Sequence, residues 1–101
     1  MRSMLFVALL TLATCAAPPP NMALYNPYPP PPPLRVETPP TPSVTGEVLI
    51  WRPGYWDWDG QGGYVWRAGQ YAPASGHSTT WTYGYWDKVN GVWTWIPAHW
   101  S

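Results

Sequence analysis

WTYGYWDKVNGVWTWIPAHW, the stretch from Trp81 to Trp100, reads as a β-hairpin. Asn90 and Gly91 stand between Val89 and Val92, and a type I′ turn needs φ > 0 at both central residues, which these residue types tolerate. Val89 then faces Val92, Lys88 faces Trp93 and Trp86 faces Trp95. The stretch begins and ends on one hexad: an aromatic, two residues, a small residue, one more residue, an aromatic. The chain writes that hexad four times, as WRPGYW from Trp51, WRAGQY from Trp66, WTYGYW from Trp81 and WIPAHW from Trp95, with starts 15, 15 and 14 residues apart. Such a period leaves room for one strand and one turn per copy.

Upstream, Asp59 to Gly63 reads as a five-residue loop that sets Trp58 opposite Tyr64 and Trp56 opposite Trp66. The connection from Ala72 to Thr80 is longer, and it is expected to join strands in which Tyr71 faces Trp81 and Trp66 faces Trp86. Chained together, these pairings predict an all-β module, a small four-stranded antiparallel meander of two Trp-rich hairpins. Trp56, Trp66, Trp86 and Trp95 form one row across it, and Trp58, Tyr64, Lys88 and Trp93 the next. A third row, Trp51, Tyr71, Trp81 and Trp100, lies five positions away. An unbroken pleat puts that row on the opposite face, and bends at Gly54, Ala68, Gly84 and Pro97 would return it to the same one. Tyr55, Asp57, Val65, Arg67, Tyr85, Asp87, Thr94 and Ile96 make a mixed, wettable reverse face. Glycines and prolines break every window long enough for a helix.

Composition divides the 101 residues into three parts. Residues 47–101, the aromatic repeat module, hold all nine tryptophans and five of the seven tyrosines. Residues 1–14 carry Arg2 and an apolar run from Met4 to Leu12, the pattern of an export signal and too short for a membrane-spanning helix. Leu12, Ala13, Thr14 and Cys15 resemble the lipobox of bacterial lipoproteins, with Thr14 where Gly, Ala or Ser is usual. That resemblance implies lipidation of Cys15 and a bilayer as partner, and Ala16 after the cysteine implies sorting to the outer membrane. Residues 15–46 then hold the lipidated cysteine and twelve of the fifteen prolines, which predicts a disordered polyproline tether. One cysteine makes no internal disulfide. Five basic and five acidic residues balance, so nothing points to nucleic acid.

Candidate chemistry is sparse. Asp57 and Asp87 would lie two strands apart in a meander, an arrangement that in glycosidases hydrolyses sugars. Both follow Tyr-Trp in the repeat, however, and a duplicated position more naturally ends a strand or pairs with Arg67. His77 stands in a Ser/Thr/Gly loop and His99 in the last hexad, without the companions a metal site needs, so no metal or cofactor is expected. Lys88 beside Trp93 and Tyr64 reads as a cation-π partner rather than a base.

The hexads resemble the YXWGXW (WxxGxW) repeat family of small bacterial exported proteins and lipoproteins. Tyr64, Trp66, Gly69 and Tyr71 match one unit with tyrosine in the last place, and Trp93, Trp95, Ala98 and Trp100 match another with tryptophan and alanine in place of tyrosine and glycine. Trp51, Gly54, Trp81 and Gly84 hold the same repeat positions in the other two hexads. The resemblance implies a location in the envelope and no transferable catalytic activity. The expectation is therefore a non-enzymatic envelope lipoprotein whose aromatic rows serve a structural or self-association role. The alternatives are a module that binds peptidoglycan or lipopolysaccharide glycan through its tryptophans and, last, a hydrolase using Asp57 and Asp87.

Overall fold

The computed structural model describes residues 20–22 and 24–101; the expected export segment 1–14 and lipidation site Cys15 lie outside them. After a single 3₁₀ turn at Pro20–Met22, the regular structure is all strand: β1 (Leu49–Arg52), β2 (Tyr55–Trp58), β3 (Tyr64–Arg67), β4 (Gln70–Pro73), β5 (Trp81–Thr82), β6 (Tyr85–Val89), β7 (Val92–Ile96) and β8 (His99–Trp100). No helix among the described residues is long and apolar enough to cross a membrane.

Within each hairpin the register follows the turn chemistry. Asn90 (φ 52°) and Gly91 (φ 79°) both take the left-handed conformation. β6 and β7 accordingly pair with Val89 opposite Val92, Lys88 opposite Trp93 and Trp86 opposite Trp95. The Asp59 to Gly63 loop closes through Asp59 N–H to Gly63 O (3.0 Å). The Asp59 carboxylate Oδ1 accepts from the N–H groups of Gln61 (2.7 Å), Gly62 (3.0 Å) and Gly63 (3.1 Å). These backbone bonds favour the charged form and hold the Asp59 carboxyl below its ordinary range. β2 and β3 pair with Trp58 opposite Tyr64 and Trp56 opposite Trp66.

Each hexad spans two short strands with a bend between them, rather than one strand. β1 pairs with β4, Trp51 opposite Tyr71, and β5 with β8, Trp81 opposite Trp100. Pairing lapses at Pro53 and Gly54 against Ala68 and Gly69, and at Tyr83 and Gly84 against Pro97 and Ala98. Each lapse contains a proline, which has no N–H to give the ladder. Two residues drop out on both sides, so the register is the same before and after the bend.

The four-stranded meander does not form. The strands make four separate two-stranded ladders, and none joins β3 or β4 to β5 or β6, so Tyr71 does not pair with Trp81 nor Trp66 with Trp86. The reason lies in the connection after β4. It has no tight turn to impose a register, and its ends close onto their own hairpins through Ala74 N–H to Val48 O (2.8 Å) and Ser101 N–H to Thr80 O (2.8 Å). The hairpins meet through rings instead. Trp58 lies edge-on to Trp86 (5.0 Å), Tyr64 to Trp95 (5.5 Å), and Trp86 Nε1 donates to the Tyr64 hydroxyl (2.9 Å). A single aromatic sheet would leave one whole face to water, whereas ring-to-ring contact removes apolar surface from both hairpins. These contacting rings are half-buried; among the described residues no hydrophobic side chain is fully buried, and Gly54 alone is buried.

Candidate functional site

The hexad spacing has a geometric cause. The first aromatic of one hexad meets the last aromatic of its partner edge-to-face: Trp66 with Trp56 at 5.2 Å and 66°, Trp51 with Tyr71 at 5.0 Å and 68°, Trp95 with Trp86 at 5.4 Å and 64°, Trp81 with Trp100 at 5.1 Å and 72°. That arrangement sets the positive ring edge against the negative ring face. The same first aromatic also lies against the small residue of the partner hexad. A Cβ on Gly54 would collide with Trp66 Cζ2, one on Gly69 with Trp51 Cζ2, and one on Gly84 with Trp95 Cζ2. Glycine at these places is therefore a packing requirement, not a conformational one.

The bend in the first hairpin releases backbone groups that need partners. Glu37 supplies the acceptors: its carboxylate takes the N–H of Gly54 (2.9 Å) and of Gly69 (3.0 and 3.2 Å to its two oxygens). Arg52 Nη2 supplies a donor to Ala68 O (2.5 Å). Glu37 belongs to the proline-rich segment, which lies along the hairpin as a strap. Going along it, Tyr28 stacks on Trp86 (4.2 Å, 10°) and meets Trp58 edge-on (5.5 Å). Pro29 O accepts from the Tyr64 hydroxyl, Pro33 O from Trp56 Nε1 (3.0 Å) and Pro40 O from the Tyr71 hydroxyl (2.6 Å). The Arg35 guanidinium lies over Trp56 (4.9 Å) and Trp66 (5.5 Å). Val36, between Arg35 and Glu37, is 99% exposed, as alternation along an extended chain requires.

The strap touches Trp56 and Trp66 at one point and Tyr71 at another, so the bend does return the third row of the first hairpin to the side of the first. It also corrects the picture of residues 15–46 as a free spacer, since 28–40 are engaged with the module. Prolines cannot donate backbone hydrogen bonds, but their carbonyls accept, and the module's Tyr and Trp side chains are the donors. Between strap and second hairpin lies a cavity of about 210 Å³ lined by Pro31, Pro32, Leu34, Trp56, Tyr83 and Gly84.

The residues singled out for chemistry do other work. Asp57 Oδ2 is 3.7 Å from Arg67 Nε, the pairing expected from the repeat. Asp87 Oδ1 accepts from the N–H of Lys88 (2.8 Å). The strand spacing that linked the two aspartates disappears with the meander. Lys88 Nζ lies 5.6 Å from the Trp93 ring centre, the expected cation-π contact. His77 stacks on Trp100 (4.7 Å) with Nδ1 toward Ser78 O (2.6 Å), and His99 Nδ1 donates to Pro97 O (2.8 Å). Among the described residues no three His, Cys, Asp or Glu side chains come together as a metal site.

A family model for the WXXGXW repeat matches in two copies, residues 50–70 and 80–101. Both hairpins carry the WXXGXW repeat. Each matched copy spans a turn and the hexads on either side of it, the first stopping one residue short of Tyr71, so the unit of the repeat is a hairpin rather than a hexad. No curated protein and no solved structure matches the chain.

The sequence reading missed Tyr28, Arg35 and Glu37. A signal for two of them was present: Arg35 and Glu37 are the only charges between Ala16 and Gly46, and they stand two apart, on one side of an extended chain.

Proposed function

We propose that this WXXGXW protein is a non-enzymatic, lipid-anchored component of the bacterial envelope, exported and held by an acylated Cys15 at the outer membrane, whose aromatic module serves a structural or self-association role. The observation that carries the reading is the covered state of the rings. Trp56 and Trp66 lie beneath Arg35, and Trp86 lies beneath Tyr28. A sugar-binding platform needs free ring faces, and Trp56, Trp66 and Trp86 of the central row each have a face taken by the chain itself. Ring-to-ring and ring-to-strap packing is how this module holds its shape without a disulfide or a closed core.

Three measurements test the reading. The mass of the mature protein reports acylation of Cys15, and an unmodified cysteine removes the anchor. Sedimentation of the module across micromolar concentrations reports self-association. Tryptophan fluorescence during titration with peptidoglycan fragments or lipopolysaccharide is expected to stay flat; a saturable shift replaces this reading with the glycan one.

A further inference from the structure

The strap is held in the manner of a ligand. It shares no strand ladder with the module. Its main chain is held by hydrogen bonds from Trp56, Tyr64 and Tyr71 to carbonyls at Pro33, Pro29 and Pro40. Its specificity comes from two side chains, Arg35 over a pair of indoles and Glu37 on a pair of glycine N–H groups. A polyproline segment is already extended and stiff in the unbound state, so seating it costs little order, and grooves with aromatic donors are the general solution for recognising such segments.

We propose that the groove formed by Trp56, Trp66, Gly54, Gly69 and Tyr71 is a receptor for a proline-rich segment carrying Arg-x-Glu, and that the strap of a second copy fills it in exchange for the chain's own. The proposal rests on the self-association reading. Residues 41–48, which join strap to β1, are all exposed, with Val44 wholly in solvent and Gly46 in the left-handed conformation (φ 75°). No described side chain pins this hinge to the module. The one side-chain hydrogen bond it makes is local, Glu47 N–H to Thr45 Oγ1 (3.4 Å), and its main chain is tied down at its last residue, by Ala74 N–H to Val48 O (2.8 Å). A second copy presents the identical groove, so an exchanged strap recovers every contact that the resident one makes. Val36 faces solvent in either arrangement, and neither arrangement buries a charge that the other leaves free.

The resident strap competes at the millimolar effective concentration typical of a short connection, so an external segment binds an intact chain weakly and a chain with a weakened strap well. The test uses a fluorescent peptide with the sequence from Pro27 to Thr41 and full-length mature chains as hosts. Anisotropy is expected to show at least about 10-fold tighter binding to the Arg35→Ala/Glu37→Ala chain than to the unaltered chain, since the loss of the resident contacts frees the groove. A peptide carrying the same two replacements is expected to bind either host at least about 10-fold more weakly, which is the loss of two charge-assisted contacts. Should the double variant fail to fold, as judged by its near-ultraviolet circular dichroism, Glu37→Gln provides a milder host and a smaller gain in the same direction. Equal affinity for altered and unaltered hosts, or indifference to the replacements in the peptide, overturns the proposal. A chain that self-associates in sedimentation while its peptide binding ignores Arg35 and Glu37 keeps the self-association reading and loses this one. A monomeric chain whose weakened form binds the peptide overturns the exchange between copies and leaves the groove as a site for the chain's own strap alone.

Discussion

The two hairpins are built from the same hexads and solve the same bend differently. In the first, Glu37 and Arg52 satisfy the backbone that the bend releases, and Gly69 accepts the Trp51 indole against its bare Cα. In the second, Thr82 stands where Arg52 stood and bonds the Ser101 hydroxyl (2.7 Å), while Ala98 replaces Gly69. Among the described residues no side-chain acceptor reaches the N–H of Gly84 or Ala98, and the indole N–H groups of Trp81 and Trp95 are buried without a partner. The repeat thus specifies ring packing in both halves, while the first bend draws its polar partners from Arg52 of its own hexad and from Glu37 outside the repeat, and among the described residues the second bend has no carboxylate in that place.

The sharpest break in that comparison is at the small residue of the hexad. Gly69→Ala forces a Cβ into Trp51 and is expected to cost about 3 kcal/mol. Ala98→Gly, at the matching place in the second hairpin, is expected to change stability by less than about 1 kcal/mol. Urea unfolding of both variants checks the pair, and equal losses would mean that the two bends are packed alike. Next in size is Glu37→Ala, expected to cost about 2 kcal/mol through loss of a charged acceptor from two N–H groups. Its signature is local: hydrogen exchange accelerates at Gly54 and Gly69 and is unchanged at Gly84 and Ala98.

The turns give a smaller contrast, visible in acid. Asp59 is lowered by its backbone bonds, so its contribution is fully present above the unfolded value of about 3.9 and is lost as pH falls through the folded value. The Asn90-Gly91 turn has no carboxylate. Amide exchange between pH 5 and pH 2 is therefore expected to loosen the first turn and not the second, and Asp59→Asn is expected to flatten that response. Smallest is the exposed Asp57 and Arg67 pair, whose counterpart in the second hairpin is Asp87 with Ile96. Arg67→Ile is expected to shift the unfolding midpoint by an amount equivalent to no more than about 0.5 kcal/mol.

How much of this was legible follows the range of each physical cause. Asn90-Gly91 and the Asp59 loop act through local dihedral preference, so the register of each hairpin and the pairs Trp56 with Trp66 and Trp86 with Trp95 could be read directly. The family resemblance was legible for the same reason, since the hexad is a local pattern. The pairing of the two hairpins was not legible, because the connection after Pro73 carries no turn that imposes a register. Its expected ladder gave way to ring contacts between Trp58, Tyr64, Trp86 and Trp95. The site is half legible: the aromatics of the hairpins stand out in the hexads, whereas Tyr28 and the rest of the strap carry only the composition of a spacer.

Sequence therefore sufficed for what neighbours along the chain decide: two turns, two registers, and a glycine at each place where an indole needs a bare backbone except at Ala98. Tertiary structure alone decided that the bends keep the rings of the first hairpin on one side and that the hairpins meet by their rings. It also decided that Arg35 and Glu37 are seated on residues far along the chain. Proline composition announces an extended segment that cannot donate hydrogen bonds, but not whether donors elsewhere will meet its carbonyls. That depends on where Trp56, Tyr64 and Tyr71 point once the hairpin has bent, which no local rule specifies.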